Sequence, residues 1–232
     1  MGGFVVVVGL VLVALAFFWW RASQRKYHAD FIDAFPYQRM LDRRLAEKRP
    51  ELTPTQREMV FVGLKEFFHL CNLSGRRMVS MPSQVVDDAW HEFILFTRQY
   101  QRFCDQGLGR FLHHTPAEAM SSPTVAQDGI KRAWRLACAR DGIDPKSPTR
   151  LPLLFAIDGM LGIANGFRYE LNCMAKGKAG DGYCASDIGC AGGCAGSYGG
   201  SGSDGGGLFG GGGDSSGGDG GSGCGGGCGG GD

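Results

Sequence analysis

The sequence predicts an all-α protein: a small helical domain of about five helices, preceded by one transmembrane helix and followed by a disordered glycine-rich tail. Three observations predict it. Apolar residues recur at helical spacing in segment after segment, no segment sustains the period-two alternation of a strand, and the glycines gather at one end. Of 40 glycines, 28 fall in the 57 residues from Lys176 on, leaving 12 in the first 175. The expected divisions are a membrane helix over 4–20, an all-α domain over 27–175 and a low-complexity tail over 176–232.

From Phe4 to Trp20 the run FVVVVGLVLVALAFFWW holds no charged or polar side chain. Its 17 residues make a helix of about 25 Å, near the minimum for a bilayer core. Phe17 to Trp20 resemble an interfacial aromatic belt, and Arg21, Arg25 and Lys26 follow directly. By the positive-inside rule the N-terminus points out and the rest stays cytoplasmic. The rival is a cleaved signal peptide, with Ala14-Leu15-Ala16 as the cleavage site. The absence of a basic n-region and the continuation of the apolar run through FFWW favour a retained anchor.

Residues 27–49 read as an amphipathic helix with Phe31, Phe35, Leu41 and Leu45 inside, Arg39, Arg43, Arg44 and Lys48 outside, and an interruption at Pro36. Thr55-Gln-Arg-Glu58 has the form of a capping box, opening a helix whose inner residues are Met59, Val60, Val62, Leu64, Phe67, Phe68, Leu70 and Cys71. Ser83, after Pro82, is the expected N-cap of the central helix, and Gly107 its left-handed stop. Along that helix Val85, Val86, Ala89, Trp90, Phe93, Phe96, Thr97, Tyr100, Phe103 and Cys104 share one arc of about 140°. Ser122 or Thr124 caps a further helix running to Arg140, with Ile130, Trp134, Leu136, Ala137 and Cys138 inward and Gly142 as its stop. Pro152 begins a short apolar helix ending near Gly162. Asp158 within it requires a partner, such as an arginine or histidine.

The chemistry-bearing residues cluster from Pro82 to Pro116, which contains three of the five histidines. His91 has Asp87 and Asp88 one turn before it, and an aspartate at that spacing can accept a ring N–H and fix the tautomer. His113 and His114 follow in FLHHTP, where a loop folding back would bring an imidazole to His91. The expected metal ligands are therefore His91, His113, His114 and Asp88, a set suited to zinc or another divalent transition metal. The alternative is a buried histidine network that only orients the loop. His69 is expected in the core or at the surface. Neither HExxH nor paired CxxC is present; Trp90-His91-Glu92 offers one His-Glu dipeptide. His91 lies about 140° round the helix from Cys104, which separates those two as ligands.

The tail contains Cys184, Cys190, Cys194, Cys224 and Cys228 at spacings looser than zinc knuckles, and too little apolar surface to offset the ordering entropy of glycine. In a reducing compartment its cysteines are not expected to form disulfides. Six aspartates against two lysines give it a charge of −4, so the first 175 residues carry +5 and offer no nucleic-acid footprint. Phosphate-loop, dinucleotide and serine-hydrolase motifs are missing.

VDDAWHEFILFTRQYQRFCDQGLGRFLHHTP resembles the core of the glycine-rich domain-containing protein-like family, in which an Asp-x-x-Trp-His run precedes a tyrosine and a further histidine. Asp87 or Asp88, Trp90, His91, Tyr100, Cys104 and His113 or His114 occupy the matching positions. LPLLFAIDGMLGI also looks like a family segment, so the resemblance covers roughly residues 50–170 and not the membrane helix. It implies a helical domain and assigns no reaction. The function expected first is a single-pass membrane protein whose cytoplasmic domain binds or scaffolds membrane or cytoplasmic proteins, without turnover. The alternative is a metal-binding sensor or enzyme using the His91, His113 and His114 cluster.

Overall fold

The computed structural model describes residues 2–114, 123–171, 183–184 and 188. α1 (Gly2–Ala34) is one continuous helix of 33 residues, about 50 Å long at 1.5 Å per residue. Its first part exposes apolar side chains all round, as Leu10, Val13, Phe18 and Trp19 do. Its last two turns enter the helical body, where Ile32 is fully buried and Phe31 packs against the core. The predicted helix over 27–49 is therefore two helices, and the first of them is the end of α1.

Pro36 makes the break, since it has no N–H with which to bond the carbonyl of Ile32. The hydroxyl of Tyr37 donates to that carbonyl instead, at 3.1 Å, and opens α2 (Tyr37–Lys48). Leu41 and Leu45 face the core, with Arg39, Arg43, Arg44 and Lys48 outside as predicted. α3 (Pro54–Ser74) begins with a capping box two residues earlier than the expected Thr55–Glu58: Thr53 and Gln56 exchange side-chain and backbone bonds, and Pro54 takes the first helical position. Val62, expected inside, is exposed.

The central segment departs furthest from expectation. It is two helices, α4 (Gln84–Ile94) and α5 (Thr97–Phe103), followed by a π-helical turn over Cys104–Leu108. The bend at Leu95 and Phe96 turns the second helix, so Thr97 is exposed and Phe96 only half-buried. Gly107 lies inside the π turn, close to Phe31 and Ile32, where an added Cβ would stand 3.3 Å from both. The left-handed stop is Gly109, at φ 65°.

α6 (Pro123–Asp141) buries Ala133, Trp134, Ala137 and Cys138 and ends at Gly142, also left-handed. Ser122, one of its two expected caps, lies outside the described residues. α7 (Leu153–Met160) has Pro152 as its N-cap. The only strands among the described residues are β1 (Tyr169–Glu170) and β2 (Tyr183–Cys184), which pair in parallel. β2 thus falls in the stretch expected to be disordered; apart from residues 183–184 and 188, the tail over 176–232, with Cys190, Cys194, Cys224 and Cys228, lies outside the described residues.

α3 is the central element, packed by α1, α2, α4, α6 and α7. Around it Phe35, Tyr37, Phe68, Phe93 and Phe103 form an aromatic cluster, with Phe68 and Phe103 centroids 4.6 Å apart. Tilted and edge-to-face pairs of this kind add to the free energy of simple burial. This cluster fixes α4 against α3 and thereby sets which way the outer face of α4 points.

Candidate metal centre

Two capping groups fix the start of α4. Ser83 accepts from the amide of Val86 at 3.2 Å, as an N-cap serine should. Beneath it the buried carboxylate of Asp158 accepts from the Ser83 hydroxyl and from the amides of Gln84, Val85 and Phe167. The partner of Asp158 is thus a helix N-terminus rather than the arginine or histidine expected, and three backbone donors replace a cation. One turn on, Asp87 and His91 lie four residues apart and project from the outer side of α4.

His114 reaches them from the loop after the π turn. Its Nε2 donates to Asp87 Oδ1 at 3.1 Å, and His91 Nδ1 stands 3.4 Å from Oδ2 of the same carboxylate. The two imidazoles are 4.2 Å apart between centroids. The possible ligand atoms of Asp87, His91 and His114 all lie within 4.8 Å of one another. Side chains of Asp87 and His114 are mostly covered while His91 is 41 % exposed, so the cluster is open to solvent on one side.

A relay through the core holds the loop. Trp90 Nε1 donates to the Tyr100 hydroxyl at 3.1 Å, and that hydroxyl donates to the carbonyl of Leu112 at 2.5 Å. Burial drives the Tyr100 phenol well above its ordinary range, so the donor proton stays in place across the physiological range. The Trp90 ring also packs against His114, with centroids 4.7 Å apart. Trp90 and Tyr100 therefore position His114 without themselves offering a ligand.

The other expected ligands point elsewhere. His113 packs on Phe111, 4.7 Å between centroids, and takes no part in the cluster. Asp88 faces α2, where Arg49 Nε donates to it at 2.7 Å and Lys48 Nζ stands 3.5 Å away. Glu92 is engaged by Arg44 at 2.7 Å. His69 is buried and bonded to Asp33, and His28 donates from Nδ1 to the carbonyl of Gln106 in the π turn at 2.7 Å. The carboxylate in the cluster is Asp87, which sequence spacing could not separate from Asp88 because both stand one turn before His91. The deciding partner of Asp88, Arg49, is 39 residues away.

The model of the UCP032817-like family matches residues 27–188. The chain belongs to the UCP032817-like family. In this UCP032817-like protein the match begins at Tyr27, within α1 and beyond its wholly apolar stretch, includes all of α2 to α7, and runs past residue 175, the expected end of the domain. The glycine-rich domain family name rests on the motif alone. No curated relative and no solved structure matches the chain.

α1 is the one described helix long and apolar enough to cross a membrane, with a mean hydropathy of 2.0 in its most apolar window. A signal sequence has the same composition and position.

Proposed function

We propose that this chain is a single-pass membrane protein whose helical body binds one divalent transition metal through Asp87, His91 and His114. The observation that carries the reading is the mutual approach of three chemically suitable ligand atoms to within 4.8 Å, two from α4 and one from a loop held by Tyr100. Two imidazoles and one carboxylate are a familiar ligand set for zinc and its neighbours, and three protein ligands leave a coordination position open. A metal bound there would supply a Lewis acid with an exchangeable site, the property needed for sensing or for activating water.

The proton that His114 now directs at Asp87 would be displaced by the cation. Asp87 then exchanges two imidazole contacts for one metal contact, with little movement of α4. The packing of α1 into the body supports a retained anchor. Arg21, Arg25 and Lys26 at the end of the apolar stretch favour a cytoplasmic body.

Elemental analysis of the full chain purified in neutral detergent tests the reading. We expect close to one equivalent of metal, lost in His114→Ala and Asp87→Ala. Cobalt substitution should give a visible spectrum without thiolate charge-transfer bands, which separates this centre from the tail cysteines. Metal-free protein that stays folded would contradict the proposal and leave a binding or scaffolding module for membrane or cytoplasmic partners.

A further inference from the structure

A second feature lies along α6. Arg77, Lys131, Arg132 and Arg135 line a cleft of about 320 Å³ with Leu136, and Asp128 is its single acid. Four arginines elsewhere on the body are held by carboxylates: Arg44 by Glu92, Arg49 by Asp88, Arg57 by Asp42 and Arg140 by Glu66. Arg132 is spent on the carbonyl of Met78. Arg77, Lys131 and Arg135 have no carboxylate partner among the described residues. Three unneutralised cations around one concave surface are chemically suited to an anion.

The helix directions locate this cleft with respect to α1. Near the end of α3, Asn72 donates to the carbonyl of Arg25, whereas His69 and Lys65, earlier in α3, both reach Asp33. α3 therefore runs antiparallel to α1, with its C-terminus toward the apolar stretch. α6 runs antiparallel to α3 in turn: Arg132 meets Met78, just beyond the end of α3, and Arg140 meets Glu66 within it. The cleft residues of α6 thus lie at the end of the body from which α1 emerges. Arg25 is five residues past Trp20, about 7.5 Å along the helix, so this end stands at headgroup depth and within a Debye length of the bilayer surface.

We infer that the cleft of Arg77, Lys131 and Arg135 receives the headgroups of anionic phospholipids in the bilayer that α1 crosses. The inference rests on the membrane-anchor part of the proposed function and is independent of the metal. Arg21, Arg25 and Lys26 extend the same positive surface around the emerging helix. Lipid phosphates there would hold the body down on the membrane, with the metal cluster carried by α4 and its loop.

The test uses the full chain in neutral detergent, titrated with dioctanoyl phosphatidylglycerol, dioctanoyl phosphatidylcholine and inorganic phosphate. Phosphatidylglycerol should bind, phosphatidylcholine should bind far more weakly, and phosphate should not displace the lipid. The triple variant Arg77→Gln, Lys131→Gln, Arg135→Gln should weaken phosphatidylglycerol binding on the order of a hundredfold, roughly fivefold per charge. Arg77→Lys with Arg135→Lys should keep affinity within about twofold. Equal binding of the two lipids, displacement by free phosphate, or an unaltered triple variant would overturn the inference. Should the triple variant not fold, parent affinity that does not fall with added salt overturns it equally. Alkaline carbonate extraction of membranes carrying the chain tests the anchor separately: release would end the anchor reading and leave the detergent titration standing on its own.

Discussion

The hydroxyl of Ser83 donates to the carboxylate of Asp158 across 2.7 Å, joining the N-cap of α4 to α7, 75 residues later. The same carboxylate takes the amides of Gln84 and Phe167 at 2.7 and 2.9 Å. A buried anion is tolerated here because four donors replace its hydration and the positive end of α4 faces it. The pair sets the start of α4, and so the heights at which Asp87 and His91 emerge.

Removing Asp158 should be among the costliest single changes. Asp158→Ala leaves three amides and a hydroxyl without their acceptor, and we expect a loss of about 3 kcal/mol. Ser83→Ala should lose about 1 kcal/mol. In a double-mutant cycle by urea unfolding the two should couple by more than about 0.5 kcal/mol. Strict additivity would refute the shared cap.

Tyr100→Phe tests the positioning relay without touching a ligand. The ring stays in the core, but Trp90 Nε1 and the Leu112 carbonyl lose their common partner. Stability should drop by about 1 kcal/mol. Metal affinity should fall by about 10- to 100-fold, the range found when outer groups that orient ligands are removed. Unchanged affinity in calorimetry would show that the loop holds His114 by other means.

The buried thiols give a pH dependence of definite sign. Burial raises Cys71 to about 12 and Cys138 to about 11, and raises Cys104 as well. An unfolded thiol ionises near pH 8.5. Below that pH both states are protonated and the stability is fully present; above it the unfolded state releases protons the folded state retains, so stability falls as pH rises toward the folded values. Site-resolved alkylation at pH 8 should leave these three unlabelled in native protein and label them after denaturation. Rapid native labelling of Cys71 would contradict its complete burial.

Several local signals are legible because the deciding partner lies within a turn, although the capping box of α3 sits at Thr53 rather than Thr55. Ser83 as a cap, Gly142 as a stop and the interruption at Pro36 all depend on neighbours a few residues away. The break between α4 and α5 was not legible, because residues on both sides keep a helical period and only packing against the aromatic cluster bends the chain at Phe96. Gly107 and Gly109 are equally good stops in sequence; the close approach of Phe31 and Ile32 puts the first inside the π turn and the second in the left-handed position. The site was legible in part. His91 and a returning histidine were expected together, but the choice of His114 over His113 follows from the Trp90 and Tyr100 contacts. The choice of Asp87 over Asp88 follows from Arg49.

The two adjacent histidines, His113 and His114, separate a metal centre from a structural histidine network. Zinc titration of the full chain by calorimetry, with His113→Ala and His114→Ala compared under one buffer, asks whether a site exists and which imidazole belongs to it. We expect one site in the parent, affinity preserved within about threefold in His113→Ala, and loss of at least about a hundredfold in His114→Ala, the removal of one of three protein ligands. Equal affinities in the two variants, or a greater loss in His113→Ala, would contradict it.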